Sequence, residues 1–323
     1  MSADDRDGLL RRLYDRLRGR YLFKIAAAVI IVSTVLLGAG ALAVDQVQAS
    51  VESDARETLT SSAEREAEGI EGFIDDMNGY TLRVSSASGV QSSSEGRIRD
   101  ELRQNADMLP EYVVDVHYYD TVTNEVTVST SPTTEGTTYA EDERPWAVGP
   151  AAFANANDVR SFEPYKADGE NRLGFVSPIN NVPGKAVVIT IDLSERGSLL
   201  SAPVDGGNME VVSTRTGQVA LASNGDAILN DYFLIEELSH LETDVTEPIV
   251  TDVTDDEQDV VNGSALATAT APIEEKPWAV VVAAPQSEVY GTVGDVTQSV
   301  LLLIAISVVG LLAVGAFVVR DVN

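Results

Sequence analysis

The sequence predicts an α+β protein in which two transmembrane helices flank a long N-terminal helix and two stacked lobes. Three observations lead to this prediction. Two uncharged apolar runs lie near the ends of the chain, the first run is followed by a long helical repeat of apolar residues, and hairpin and strand signals then recur in a similar order twice. Helices and antiparallel strands in this order build layered α+β lobes.

The two apolar runs, residues 25–44 and 300–319, have the length of membrane-spanning helices, which need about 20 apolar residues. Arginines precede the first run at positions 11, 12, 16, 18 and 20, and Arg320 follows the second. Because basic loops stay in the cytoplasm, we predict a two-pass protein of the cell membrane with residues 1–24 and 320–323 inside and 45–299 outside. A cleaved signal peptide is the alternative for the first run, but its apolar core exceeds the usual range of about 7–15 residues.

The chain carries a formal net charge of −29, with 51 Asp and Glu against 22 Lys and Arg. Near 1 M salt the Debye length is only about 3 Å, so like charges barely repel and carboxylates keep a folded surface hydrated. The charge and the scarcity of lysine therefore predict a halophilic archaeal protein. A disordered acidic segment is the alternative, but 44% hydrophobic residues favour a folded core. No basic patch lies outside the first 24 residues, which argues against a nucleic-acid partner.

Apolar residues spaced three or four apart predict a helical spine within residues 45–95. The predicted apolar face consists of Val47, Val51, Ala55, Leu59, Ala63, Ala67, Ile70, Phe73, Met77, Tyr80 and Val84. So long a helix must pack along a domain or against a second copy. A passive strut and a strut that transmits motion to the membrane both fit this pattern.

Strand and turn signals predict two lobes after the spine, residues 96–203 and 204–299, with the Pro/Gly run at 203–207 as the boundary. In the first lobe we expect a helix at 96–108 and strands at 112–119, 125–131, 159–165, 172–176 and 186–192. In the second we expect strands at 209–213, 218–223, 258–261, 265–271 and 278–284, and a helix at 228–241.

This layout resembles the double Cache (dCache) extracellular sensor domains of chemoreceptors and sensor kinases, and the hairpin at 112–131 resembles haloarchaeal chemotaxis transducers. The order of span, long helix, two lobes and span carries most of the resemblance. Local matches are Arg144-Pro145-Trp146 to an Arg-x-Trp element, Pro164-Tyr165 with residues 176–179 to a strand pair, and residues 184–193 and 277–285 to the closing strands of the two lobes. The resemblance implies two PAS-like (Cache) lobes, of which residues 96–203 are membrane-distal and 204–299 membrane-proximal.

The resemblance also implies a ligand site in the distal lobe, made by Arg144, Trp146, Tyr165 and Asp192. In relatives that bind amino acids, the arginine pairs with the ligand carboxylate, aromatic groups wall the site and the aspartate takes the ammonium. The remaining positions of that pattern differ here.

Ala147 and Ala167 stand where those relatives have tyrosine and aspartate, with Asp168 one position late. We therefore expect a carboxylate or another small metabolite rather than an α-amino acid. The alternatives are a surface ion pair of Arg144 with Glu141 or Asp142, and simple core packing of the two aromatic side chains.

The sequence contains no motif for catalysis, a cofactor or a metal. His117 falls in a predicted strand and His240 in a predicted helix, where structural or solvated roles are expected, and no phosphate-binding loop or nucleophile elbow occurs. The acidic run at 252–259 lacks the ligand order of an EF-hand and is interpreted as a solvated loop. We predict that the protein is not an enzyme.

Together these features predict a membrane-anchored extracellular sensor that binds a small ligand in the distal lobe and passes a conformational signal across the membrane. The alternative is a non-sensing structural or accessory envelope protein that acts as a partner subunit. In the family that the chain resembles, a signalling coil and an output domain follow the second span, whereas this sequence stops at Asn323. We therefore expect either a truncated receptor or a chain that works with a separate signalling protein; the resemblance implies a homodimer.

Overall fold

The computed structural model describes residues 3–155, 157–204, 206–232, 249–253, 266–274 and 276–321. The chain divides into two compact units, one holding residues 3–55 and 287–321 and the other holding 56–286. In the first unit, Gly40 lies directly against Ile304, and a Cβ atom at position 40 would collide with that side chain. Small residues permit this kind of close packing between helices in membranes.

The N-terminal helix α1 (Ala3–Ser86) contains the first predicted span and most of the predicted spine, but it ends at Ser86 and not at residue 95. One face of its second half is buried, at Leu59, Ala63, Ala67, Ile70, Phe73, Ile74, Met77 and Val84. Phe73 packs edge-on against Tyr112 and Phe175, with ring centroids 5.7 and 6.3 Å apart. The predicted apolar face of the spine is thus confirmed from Leu59 onward, although Tyr80 is only half-buried.

Among the described residues, one helix is long and apolar enough to cross a membrane, from Ile30 to Ser86. The second predicted span lies in the last helix, α5 (Gly291–Asp321), whose apolar stretch Leu301–Val314 is shorter. Large apolar side chains on both segments are exposed, including Ile30 and Leu303. The second span remains a prediction.

The elements of the first lobe are α2 (Glu95–Ala106), β1 (Val113–Asp120), β2 (Glu125–Ser129), β3 (Arg160–Ser161), β4 (Tyr165–Ala167), β5 (Glu170–Pro178), β6 (Lys185–Asp192) and α3 (Leu193–Gly197). The strands form an antiparallel sheet in the order β2-β1-β6-β5-β3, with β4 also paired to β5. Strands β5 and β6 are buried along most of their length. Ser85 of α1 and Ser177 of β5 share a buried hydrogen bond of 2.9 Å, which fixes the end of the spine on this sheet.

The strands of the second lobe are β7 (Asn208–Ser213), β8 (Val219–Ala222), β9 (Ile249–Val253), β10 (Leu266–Pro272) and β11 (Trp278–Pro285). They form an antiparallel sheet in the order β8-β7-β11-β10-β9. The short helix α4 (Gln286–Val289) follows β11. Polar contacts join this lobe to the first, because Asn171 Nδ2 donates to the carbonyl of Gly225 at 3.0 Å and Lys276 Nζ donates to Ser161 Oγ at 2.5 Å. These contacts fix the two sheets relative to one another.

Two predicted elements differ in the structure. The strand expected at 159–165 is two short strands, β3 and β4, because Pro164 has no N–H to donate to a ladder. The helix expected from residue 228 does not begin there, since Ile228 is extended and Leu229 has a φ of 72°. The rest of that helix and the strand expected at 258–261 lie outside the described residues.

Strand β9 and the short helices α3 and α4 were not expected from the sequence. Strand β9 was missed because Asp252, within it, was assigned to the acidic loop. The short helix α3 was not predicted because it follows directly after strand β6 and has only five residues.

Candidate ligand site in the first lobe

Trp146 is the centre of the candidate site. It is 1% exposed, and its Nε1 donates a hydrogen bond of 2.8 Å to the hydroxyl of Tyr165. His117 stacks on the indole with ring centroids 5.8 Å apart, and Tyr119 and Tyr139 meet it edge-on at 5.4 and 5.6 Å. The structure therefore brings Trp146 and Tyr165 together in an aromatic cluster.

Gly174 of β5 makes room for this cluster. A Cβ atom at that position would lie 2.5 Å from the Cδ1 atom of Trp146, so the indole sits directly on the backbone of the strand. Close approach of a ring to a backbone is one reason for a glycine inside a strand. The position of Trp146 over the sheet thus depends on residue 174.

Arg144 lies over two of these rings. Its guanidinium carbon is 4.9 Å from the ring centroid of Tyr139 and 5.4 Å from that of Tyr165, within the range of cation–π attraction. Its Nη1 donates to the carbonyl of Glu143 at 3.0 Å. Within the described residues it makes no ion pair with Glu141 or Asp142, so the surface pair considered from the sequence is not found.

Arg172 is a member of the site that sequence reasoning missed. Its side chain is 12% exposed; Nη2 pairs with the carboxylate of Glu170, but Nη1 is buried and has no hydrogen-bond partner among the described residues. A buried donor without an acceptor costs about 1–3 kcal/mol. Among the described residues, Nη1 of Arg172 is therefore available to a ligand. Arg172 lies directly opposite Tyr165 on the neighbouring strand, so the two residues belong to the same cross-strand row of the sheet.

That row follows from a tight hairpin. Asp168 and Gly169 both have positive φ, 53° and 89°, as a type I′ turn requires. The turn pairs Tyr165 with Arg172 across β4 and β5. The Asp-Gly dipeptide predicts this two-residue turn, and the turn would have placed Arg172 opposite Tyr165. Asp168 is therefore a turn residue.

Asp192 lies at the far end of the same row. It pairs with Arg172 across β5 and β6, so about two strand spacings, roughly 10 Å, separate it from Tyr165. Its Oδ1 accepts hydrogen bonds from the backbone N–H groups of Ser194 and Glu195, at 2.8 and 3.1 Å. Asp192 is therefore the N-cap of α3, and the structure does not bring it into contact with Trp146 or Arg144.

Burial and the charges of the two arginines act in opposite directions on the pKa values of Tyr165 and Asp115. Burial raises the pKa of Tyr165 to about 12, against the hydrogen bond from Trp146 and the charges of Arg144 and Arg172. Burial likewise raises the pKa of Asp115, and the Arg172 charge opposes that shift. The site thus presents two cations around a neutral phenol.

His117 is held neutral in this environment. Burial, helped by the charge of Arg144, lowers the pKa of His117 to about 3, and its Nδ1 lies 2.8 Å from Ser129 Oγ. His240 lies outside the described residues. In the part of the chain that the structure describes, no group of three or more Asp, Glu and His side chains is arranged to hold a metal ion.

No protein-family model matches the chain. Among curated proteins, it is 26% identical over 307 residues to transducer protein Htr18 of Halobacterium salinarum, and 24% identical over 331 residues to transducer protein BasT of the same organism. These alignments cover 94% and 99% of the chain, but only 36% and 39% of the relatives. The chain thus spans little more than a third of their length.

Among solved structures, the ligand-binding domain of the Pseudomonas fluorescens chemoreceptor CtaA, in complex with L-isoleucine, matches with a TM-score of 0.56 at 15% identity. That of the Pseudomonas aeruginosa amino acid chemoreceptor PctB, in complex with L-Arg, matches with a TM-score of 0.54 at 15% identity. The matches cover 76% of this chain in both cases, and 98% and 94% of those domains. The fold is that of Cache-type chemoreceptor sensor domains, as the sequence resemblance implied.

Proposed function

We propose that this chain, which has the fold of chemoreceptor sensor domains, is the sensing part of a membrane receptor in a halophilic archaeon. Its external domain binds a small ligand in the first lobe and passes a conformational signal across the membrane. The alignment with haloarchaeal transducers along nearly the whole chain supports this role. The observation that carries the ligand site is the buried Nη1 of Arg172 beside Tyr165, which has no hydrogen-bond partner in the part of the chain that the structure describes.

The chemistry of the site favours a carboxylate-bearing ligand. The positive charges of Arg144 and Arg172 both lie close enough to Tyr165 to affect its pKa. A guanidinium group binds a carboxylate through two parallel hydrogen bonds. A ligand oxygen at Arg172 would satisfy the buried Nη1, and the aromatic rings of Trp146 and Tyr139 would cover the apolar part. Asp192, whose Oδ1 caps α3, is a weak candidate for holding an ammonium group.

Helix α3 supplies the path from the site to the spine. Asp192 caps this helix, and its Arg196, 8% exposed, lies 4.8 Å from the ring centroid of Phe73 on α1. A ligand that binds two arrangements of β6 with different affinity would shift their populations and so tilt α3 against α1. Because α1 also contains the predicted first span, we propose that its displacement is the signal.

Thermal unfolding of the full chain in detergent and multimolar salt tests this proposal. The ligands are a panel of mono- and dicarboxylates together with neutral analogues of each. A carboxylate at about 100 times its Kd should stabilise the domain by about 2.7 kcal/mol. We expect that gain to be lost in Arg172→Gln and in Arg144→Gln.

The matched control is Arg99→Gln, which removes an arginine that pairs with Glu135 outside the site. It should keep the full ligand effect. Cooperative unfolding with no shift for any carboxylate would contradict the sensor proposal and favour the accessory role. An equal shift in the Arg172→Gln variant would place the ligand elsewhere.

A further inference from the structure

A cavity outside the candidate site lies where the two lobes meet. It is a cleft of about 490 Å³, within the usual range of about 300–1,000 Å³ for small-molecule sites. Phe162 and Glu163, which follow β3, line it from the first lobe, and Trp278 at the start of β11 lines it from the second. Both lobes therefore contribute to its walls.

The cleft concentrates positive charge in a strongly acidic chain. Residues 25–319 contain 14 Lys and Arg against 46 Asp and Glu, yet three of those cations, Arg160, Arg215 and Lys276, line this one cleft. They outnumber its two carboxylates, Glu141 and Glu163. An excess of cations in a concave site favours an anionic ligand.

Arg160 and Arg215 are held in place by contacts that, within the described residues, engage only part of each guanidinium group. Arg160 Nη1 donates to the carbonyl of Ala152 at 2.6 Å, and its guanidinium carbon lies 5.9 Å from the ring centroid of Phe162. Arg215 forms an ion pair with Glu163 across the lobe boundary, and its side chain is still 64% exposed. An arginine carries five N–H donors, so each of these can bind a carboxylate in addition.

The same cleft has an apolar side. Trp278, 6% exposed, and Phe162 line it together with Pro145 and Pro277. Phe162 also packs on the aromatic cluster of the first lobe, so the segment from Arg160 to Tyr165 contacts both the cleft and the candidate site. A bare inorganic anion would leave this apolar wall and most of the volume unused.

We propose that the cleft between the lobes is a second effector site for a small organic carboxylate with a flat apolar body. The carboxylate binds Arg160 and Arg215, and the body lies against Phe162 and Trp278. Because the pair Arg215–Glu163 and the bond from Lys276 to Ser161 join the lobes here, an occupant holds the lobes in one relative position. This site is additional to the one in the first lobe.

The two tryptophans of the chain allow a direct test, because one lies in each site. Fluorotryptophan incorporated into the full chain gives one fluorine NMR resonance for Trp146 and one for Trp278, and Trp278→Phe assigns them. The probes are benzoate and phenylacetate, with benzamide as an uncharged match, in detergent at constant multimolar potassium chloride.

We expect both carboxylates, but not benzamide, to move the Trp278 resonance in a saturable manner. The affinity should fall at least tenfold in the double variant Arg160→Gln/Arg215→Gln and stay unchanged in Arg99→Gln. Thermal unfolding of each variant without ligand shows that it is folded.

A Trp278 resonance that stays fixed with both carboxylates, or that moves equally in the double variant, would overturn the proposal. Movement of the Trp146 resonance alone would also overturn it, while supporting the site in the first lobe. The two proposals therefore fail separately.

Discussion

The hydrogen bond between Trp146 and Tyr165 gives the sharpest energetic prediction. Tyr165→Phe removes the hydroxyl that accepts from Trp146 Nε1 at 2.8 Å and keeps the ring under Arg144. Because Trp146 is 1% exposed, its N–H is left buried without an acceptor, which costs about 1–3 kcal/mol. For a domain of this size each kcal/mol lowers Tm by about 2–4 °C.

Urea unfolding of the full chain in constant multimolar salt measures this loss, since guanidinium chloride would change the ionic strength. The control is Tyr119→Phe. Tyr119 is buried, but its hydroxyl donates at 2.8 Å to Oδ1 of Asn124, a half-buried residue. Water can reach that acceptor when the hydroxyl is removed, so the expected loss is below about 1 kcal/mol. A Tyr165→Phe variant as stable as the parent, or more stable than Tyr119→Phe, would refute the reasoning.

For three further substitutions the structure predicts the direction of the change in stability. Gly174→Ala should destabilise the fold by about 1–3 kcal/mol, because the new Cβ atom collides with Trp146. Gly79→Ala, on a helix with open space around the new methyl group, should stabilise the fold by about 0.5–1 kcal/mol. Urea unfolding in which both variants change the free energy of unfolding in the same direction would contradict this. The pKa of His117 is about 3 in the folded state and about 6.5 in the unfolded state, so the unfolded state binds the proton first and stability is lost as pH falls below 6.5. His117→Gln should reduce the loss between about pH 7 and pH 5 by about 2 kcal/mol, and an unchanged pH profile of unfolding would exclude this role. Arg196→Gln should cost about 1–2 kcal/mol through the lost contact with Phe73. It should also raise the pKa of Glu66 further, because burial already raises that pKa and the charge of Arg196 opposes the shift. A thermal scan that matches the parent would count against this buried contact.

The helical and strand periods of the sequence were sufficient to predict the spine and most strands. The apolar face of α1 repeats every three or four residues, and the buried runs of β6 and β11 are rich in valine. Local chemistry explains the errors. Pro164 divides one predicted strand into two. Strand β9 was not predicted because it contains Asp252, and the acidic residues from 252 onward were interpreted as a loop.

The site was only partly predictable. The resemblance selected Arg144, Trp146 and Tyr165, which the structure brings together. The resemblance also selected Asp192, but Asp192 followed three residues later by Glu195 is a helix-capping pattern, and the structure uses it as an N-cap. The Asp-Gly turn could have placed Arg172 beside Tyr165, whereas the burial of its side chain depends also on the pairing of β5 with β6, which no local pattern contains.

Titration calorimetry with Arg172→Gln tests the central claim most directly. The carboxylate that gives the largest thermal shift is titrated into the parent chain, the Arg172→Gln variant and the Arg99→Gln control. We expect the affinity to fall at least tenfold, about 1.4 kcal/mol, in Arg172→Gln alone. Equal affinity in all three proteins would contradict a ligand site built around Arg172 in the first lobe.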